Sequence, residues 1–113
     1  MFNKCTIGPS DGTRATKGGS YLGRPWRPYS SVVFQQTYIS DLINPAGWSK
    51  WDDTRLLGNV FYREFKNTGP GAAGPRASFS GTLDKKEDLK TFFGKKDWPD
   101  WVDKEYFKAG GVQ

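Results

Sequence analysis

Val32-Val33-Phe34-Gln35-Gln36-Thr37-Tyr38-Ile39 is the most strand-like run in the chain. On an extended backbone Val33, Gln35, Thr37 and Ile39 share one face, and Val32, Phe34, Gln36 and Tyr38 share the other. Its β-branched and aromatic residues suit a pleated, half-buried surface. Working outward, residues 28–31 form a turn on one side, and a loop over 44–53 with Asn44-Pro45 and Gly47 lies on the other. Residues 2–7 alternate in the same way and predict a first strand. Residues 21–26 read as a short extended piece, since Pro25 biases Arg24 away from helix. Residues 59–65 predict a further strand and 77–83 a short one. Asp84 with Glu87 fits a capping box for a helix over 84–93, with Leu89, Phe92 and Phe93 on its apolar face and Gly94 as its stop. Pro99 opens a second short helix toward Phe107.

The strands are short and the loops between them polar and unequal. Asn-Gly or Asp-Gly connections between adjacent strands are nearly absent; Asp11-Gly12 sits inside the long loop over 8–20. The class is therefore all-β. Two architectures remain open: a long-looped sandwich, or a right-handed parallel β-helix whose coils each contribute short strands. In the second, residues 1–83 are coils and 84–113 a helical tail that caps the stack or packs along it. No equivalent cap precedes Phe2, so the expectation is a truncated solenoid with an exposed apolar coil face that is prone to aggregate.

With 113 residues the chain suits one domain. Mean hydropathy is −0.72 and aromatics make up 16%. The aromatic content argues against disorder. Cys5 is the single cysteine and histidine is absent. An intrachain disulfide, paired-cysteine zinc and any Ser-His-Asp or Cys-His arrangement within these residues are thereby excluded. Cys5 itself reads as a small buried residue. Nothing approaches transmembrane length, and no signal-peptide pattern follows Met1. A net charge of +5 favours polyanionic partners, whether nucleic acid, an anionic membrane or an acidic polysaccharide, or serves only solubility.

The densest chemistry lies in Tyr21-Leu22-Gly23-Arg24-Pro25-Trp26-Arg27-Pro28-Tyr29. Arg24 offers a bidentate contact to a carboxylate, and Trp26 offers an apolar platform for the C–H face of a pyranose. Gly23 permits a close backbone approach. The alternative is Arg stacked on Trp as structural cement. Trp48 and Trp51 add two indoles on the 44–53 loop, either for binding or as anchors in the core. Asp52 and Asp53 read as a solvated turn rather than an acid–base pair. Glu64, flanked by Arg63 and Lys66, reads as an ion-pairing residue. Gly69, Gly71 and Gly74 lack the lysine and helix start of a phosphate loop. Lys85-Lys86 and Lys95-Lys96 read as solvated faces.

Taken in order, Tyr21-Leu22-Gly23-Arg24-Pro25-Trp26, Val32-Val33-Phe34, Ile43-Asn44-Pro45-Ala46-Gly47-Trp48, Phe65-Lys66-Asn67-Thr68-Gly69-Pro70-Gly71 and Arg76-Ala77-Ser78-Phe79 resemble the pectin methylesterase (pectinesterase) family, most closely its fungal-type members. The resemblance covers residues 2–83, with a looser echo in Trp101-Val102-Asp103. It implies a right-handed parallel β-helix and hydrolysis of methyl esters on polygalacturonate. It also implies an aspartate nucleophile, a second aspartate as acid and base, and a glutamine at the oxyanion. Those three lie upstream of the Leu-Gly-Arg-Pro-Trp segment in the family and have no match here; Gln35 and Gln36 do not stand in for them. An isolated chain without catalytic residues is thus expected, with Arg24 supporting the nucleophile, and Arg24, Trp26 and Trp48 binding substrate. The implied partner is pectin or polygalacturonate, not nucleic acid or a membrane, with no metal and no cofactor. The family is secreted, and a complete member is expected to be a monomer. Without catalysis, the same residues describe an acidic-polysaccharide-binding module.

Overall fold

A computed structural model describes residues 1–10, 16–52, 57–93 and 98–108. Its strands are β1 (Phe2–Asn3), β2 (Thr6–Ile7), β3 (Ser31–Gln35), β4 (Tyr38–Ile39), β5 (Phe61–Phe65) and β6 (Ser80–Thr82). Four of them form one sheet in the order β1-β3-β5-β6, and β2 pairs with β4 in a second. Among the described residues every pairing is parallel, including the isolated bridges Ser20–Ile43, Gly23–Trp48 and Tyr38–Thr68. Phe2 registers with Phe34, and Phe34 with Glu64. The chain thus returns repeatedly to the same place one strand further along. Parallel neighbours need long crossovers, which explains the missing hairpin turns.

Two strands expected to be single are each split by a corner. Lys4, Gln36 and Lys66 have φ of 55°, 50° and 45°. They occupy equivalent places in the stack, since each follows a residue of the register Asn3–Gln35–Phe65. A left-handed non-glycine residue costs on the order of 1 kcal/mol. The corner recovers that cost through hydrogen bonds running up the stack. Lys4 N donates to Gln35 O at 3.1 Å and Gln36 N to Phe65 O at 2.8 Å. Just beyond, Cys5 N donates to Thr37 Oγ1 at 3.2 Å and Thr37 N to Asn67 Oδ1 at 3.0 Å. Asn67 Nδ2 donates in turn to Phe34 O at 3.1 Å. Thr37 is fully buried in this column, and Cys5 is half-buried beside it.

The core is the cluster Phe34, Trp48, Val60 and Tyr62, edged by Ile7, Leu22, Val32, Leu57, Ala77 and Phe79. Trp48 stacks on Tyr62 with centroids 4.4 Å apart and meets Phe34 edge-on at 5.8 Å. Phe2 stacks on Phe34 at 4.4 Å, yet remains 48% exposed. Gly71 belongs to a close approach: a Cβ there would collide with the Ser40 carbonyl oxygen, so the Gly-Pro-Gly run is tight packing against the residues after β4.

Burial raises the Tyr62 phenol above its ordinary value, and a hydrogen bond with Ser30 offsets part of that rise. A raised folded pKa means a stabilising contribution that is complete below about pH 10 and fades as pH climbs through the folded value. Tyr62→Phe should therefore make the fall in thermal midpoint above pH 10 shallower than in the wild-type chain. An unchanged slope in alkaline melts would count against it.

The tail departs from expectation at its start. Helix α1 covers only Leu89–Phe92, and Asp88 rather than Asp84 caps it, accepting from Lys90 N at 2.7 Å. Residues 84–88 are non-helical, and Gln35 holds Glu87 among them by its backbone. Its Oε1 accepts from Glu87 N at 2.9 Å and its Nε2 donates to Glu87 O at 3.2 Å. Nε2 also donates to Asn3 Oδ1 at 2.9 Å. Gln35 alternates with core-facing Phe34, so this part of the tail lies against the opposite face of the four-stranded sheet. Helix α2 is Lys104–Lys108, opened by Asp103, which accepts from Tyr106 N at 3.1 Å. The Phe92 side chain, Gly94, Lys95, Lys96 and Asp97 lie outside the described residues, as does Asp11-Gly12.

Candidate functional site

The Leu22-Gly23-Arg24-Pro25-Trp26 segment is pinned alongside the Gly47–Trp48–Ser49 stretch. Leu22 N donates to Gly47 O at 2.7 Å, and Ser49 N donates to Gly23 O at 3.1 Å. The parallel bridge Gly23–Trp48 fixes the register. A Cβ at Gly23 would stand 3.2 Å from Trp48 Cζ3, tight enough that the buried indole would have to shift. The close approach expected at this glycine is thus to the Trp48 indole.

Carried on by one residue, that register sets Arg24 beside Ser49, and carried on by three it sets Trp26 beside Trp51. The side-chain contacts follow it. Arg24 Nε donates to Ser49 Oγ at 3.0 Å. The Arg24 guanidinium carbon lies 4.6 Å from the centroid of the Trp51 ring. Trp26 meets Trp51 edge-on, with centroids 4.6 Å apart and planes at 66°. Trp26 is 66% exposed and Trp51 38%. A cation and two indoles therefore share one exposed surface, and the indole under the guanidinium is Trp51, not the neighbouring Trp26. Trp51 was readable as a loop aromatic, but its partner depends on the register of two distant segments.

Trp48 requires a correction. The resemblance implied that it binds substrate, while the residues left a core anchor open; at 1% exposed it belongs to the core. Its Nε1 donates to Glu64 Oε2 at 3.3 Å. It supports the Leu-Gly-Arg-Pro-Trp backbone from below and presents no face to a ligand. Glu64 does form an ion pair, but with a residue far along the chain. Arg76 grips it through Nε to Oε2 at 2.9 Å and Nη2 to Oε1 at 3.0 Å. Asp52 is exposed, and Asp53 lies outside the described residues.

Among the described residues no group of His, Cys, Asp and Glu could hold a metal ion, and no helix is long and apolar enough to cross a membrane. A hollow of about 400 Å³ lies away from Arg24, between the tail and the outer sheet face, lined by Asn3, Gln35, Lys86, Lys90 and Trp98 among others. Its walls carry both signs of charge, and it holds none of the residues of the aromatic cluster.

A sequence model of the family Pectinesterase matches residues 1–100, and the chain belongs to that family. It is 43% identical over 107 residues to a pectinesterase of Aspergillus niger, covering 94% of this chain and 32% of that one. With a pectinesterase of Aspergillus aculeatus the identity is 42% over 108 residues, covering 95% and 32%. The crystal structure of the pectin methylesterase from Aspergillus niger in deglycosylated form superposes with a TM-score of 0.75 over 93% of this chain and 33% of that one. Over that superposition the sequence identity is 31%. The chain thus spans about a third of the length of the curated relatives it matches.

Proposed function

We propose that this chain forms the C-terminal coils of a right-handed parallel β-helix in a secreted pectinesterase. The complete protein, a monomer, hydrolyses methyl esters of polygalacturonate outside the cell. The observation that carries this reading is the convergence of Arg24 and Trp26, through Trp51, on one exposed surface of a pectinesterase-family chain. Arg24 faces a carboxylate. In the complete protein that is the nucleophilic aspartate, whose ionised form a nearby cation favours. Trp26 lines the sugar subsite, with its apolar ring against the pyranose. The repeated parallel registers support the β-helix, with residues 1–83 as coils and 84–113 as the tail. The nucleophile, the acid–base aspartate and the oxyanion glutamine belong to coils upstream of Phe2. The 113-residue chain by itself is a non-catalytic binder of acidic polysaccharide.

The test is made on the purified chain. Methylated pectin should release no methanol, while polygalacturonate should bind more tightly than fully methyl-esterified pectin and with an affinity that falls as salt rises. Arg24→Ala should weaken polygalacturonate binding about tenfold or more, the scale of hydrogen bonds to a charged group. Methanol release would defeat the assignment of catalysis to upstream coils. Equal affinity for polygalacturonate and DNA would reduce the site to bare charge.

A further inference from the structure

Arg24 is held from two sides, by Ser49 and by Trp51, neither of which has been given a part in ligand recognition. Ser49 Oγ accepts from its Nε at 3.0 Å, and the Trp51 ring lies 4.6 Å from its guanidinium carbon. The same Trp51 ring takes the edge of Trp26. A guanidinium offers a carboxylate two paired-donor edges, one using Nε and one using both Nη groups. With Nε engaged by Ser49, the edge that keeps both donors for a ligand is the Nη1–Nη2 end.

We infer that Trp51 and Ser49 are positioning residues that fix Arg24 for end-on recognition of a carboxylate, and that in the 113-residue chain, where no nucleophilic aspartate faces Arg24, Trp51 joins Arg24 and Trp26 into one uronate-reading unit. This rests on the reading of Arg24 as the carboxylate-binding group. An arginine on an open surface ordinarily samples many rotamers, and ordering them on binding opposes affinity. The Ser49 hydrogen bond and the Trp51 stack settle that ordering before the ligand arrives. The edge contact with Trp51 likewise fixes the plane of Trp26 relative to the guanidinium. The carboxylate and the ring face of one uronate can then be read together. Trp51 therefore acts through Arg24 and should matter for charged polymer in particular.

The 113-residue chain carrying Trp51→Ala, Trp51→Phe or Ser49→Ala provides the test. Side-chain NMR of Arg24 reports the arrangement without any ligand. The ring-current displacement of its Cδ protons should vanish in Trp51→Ala and persist in Trp51→Phe. Its Nε proton should exchange faster with water in Ser49→Ala. Binding is then read with polygalacturonate and with fully methyl-esterified pectin. Trp51→Ala should lower affinity for the first about two- to fivefold, the range of an exposed cation–π contact, and lower that for the second by less. Trp51→Phe should restore most of the loss, and the thermal midpoint should not move.

Arg24 signals unaltered in folded Trp51→Ala would overturn the inference, whether or not the chain binds any polymer. Equal losses on both polymers would also overturn it, because Trp51 would then be a sugar platform in its own right. A wild-type chain that binds neither polymer would sink the carboxylate-binding reading of Arg24 and leave the NMR result to decide the positioning. If Trp51→Ala does not fold, Ser49→Ala decides through the Nε exchange rate, and unchanged exchange refutes the fixed geometry.

Discussion

Glu64→Ala should unfold the chain or leave it barely stable, with a loss of about 3–5 kcal/mol. Glu64 sits on the core side of β5 at 6% exposure, and four donors converge on its carboxylate. Arg76 supplies two of them, Trp48 Nε1 the third and Asn67 Nδ2 the fourth, at 3.4 Å. Arg76 is committed beyond Glu64, donating to Pro45 O at 3.0 Å and to Gly71 O at 2.7 Å. One carboxylate thus ties the 44–48 loop, β5 and the Gly-Pro-Gly turn together. Its removal leaves a guanidinium and an indole N–H in a poorly solvated place without their acceptor, and that orphaning dominates the cost. Glu64→Gln should cost less, since an amide oxygen still accepts, but it loses the charge and one acceptor. Arg76→Met in the Glu64→Gln background should recover part of the loss, because the pair as a whole contributes less than the penalty of breaking it. Urea denaturation of the four proteins measures this. A Glu64→Ala chain within 1 kcal/mol of wild type would show the clip to be dispensable.

The same residues show where the sequence was legible and where it was not. Alternation located β3 and β5 because it reports burial, and burial was decided locally. It could not find the corner inside 32–39. Gln36 is no turn residue, and its left-handed φ is stabilised by a hydrogen bond to Phe65 at the end of β5, some thirty positions away. The capping box at Asp84 and Glu87 is locally sound, yet the Gln35 amide holds the Glu87 backbone and the helix starts later, at Leu89. Arg24 and Trp26 stood out because a proline-braced cation beside an indole has recognisable chemistry. Trp51 stood out only as a loop indole and Ser49 not at all, because nothing short of the Gly23–Trp48 register says which loop residues lie beside that segment.

Trp48 is the residue at which a binding role and a core role predict opposite outcomes, so its truncation separates them. A cleft-wall indole replaced by alanine would weaken sugar binding and leave the melt in place. A core indole does the reverse. Trp48→Ala removes the ring between Phe34 and Tyr62 and opens a cavity beneath Gly23. It also deletes one of the donors on Glu64. Loss of a buried aromatic costs about 3–5 kcal/mol, which in a domain this size lowers the thermal midpoint by more than about 10 °C. Trp48→Phe keeps an aromatic ring in the stack but loses the Nε1 donor, and should fall between the two, at about 1–3 kcal/mol. The Arg24–Trp51–Trp26 surface rides on the segment that Trp48 supports. Polygalacturonate binding should therefore vanish together with the folded signal in Trp48→Ala and persist in Trp48→Phe. A Trp48→Ala chain that melts like wild type and loses only its affinity for sugar would return this indole to the cleft wall.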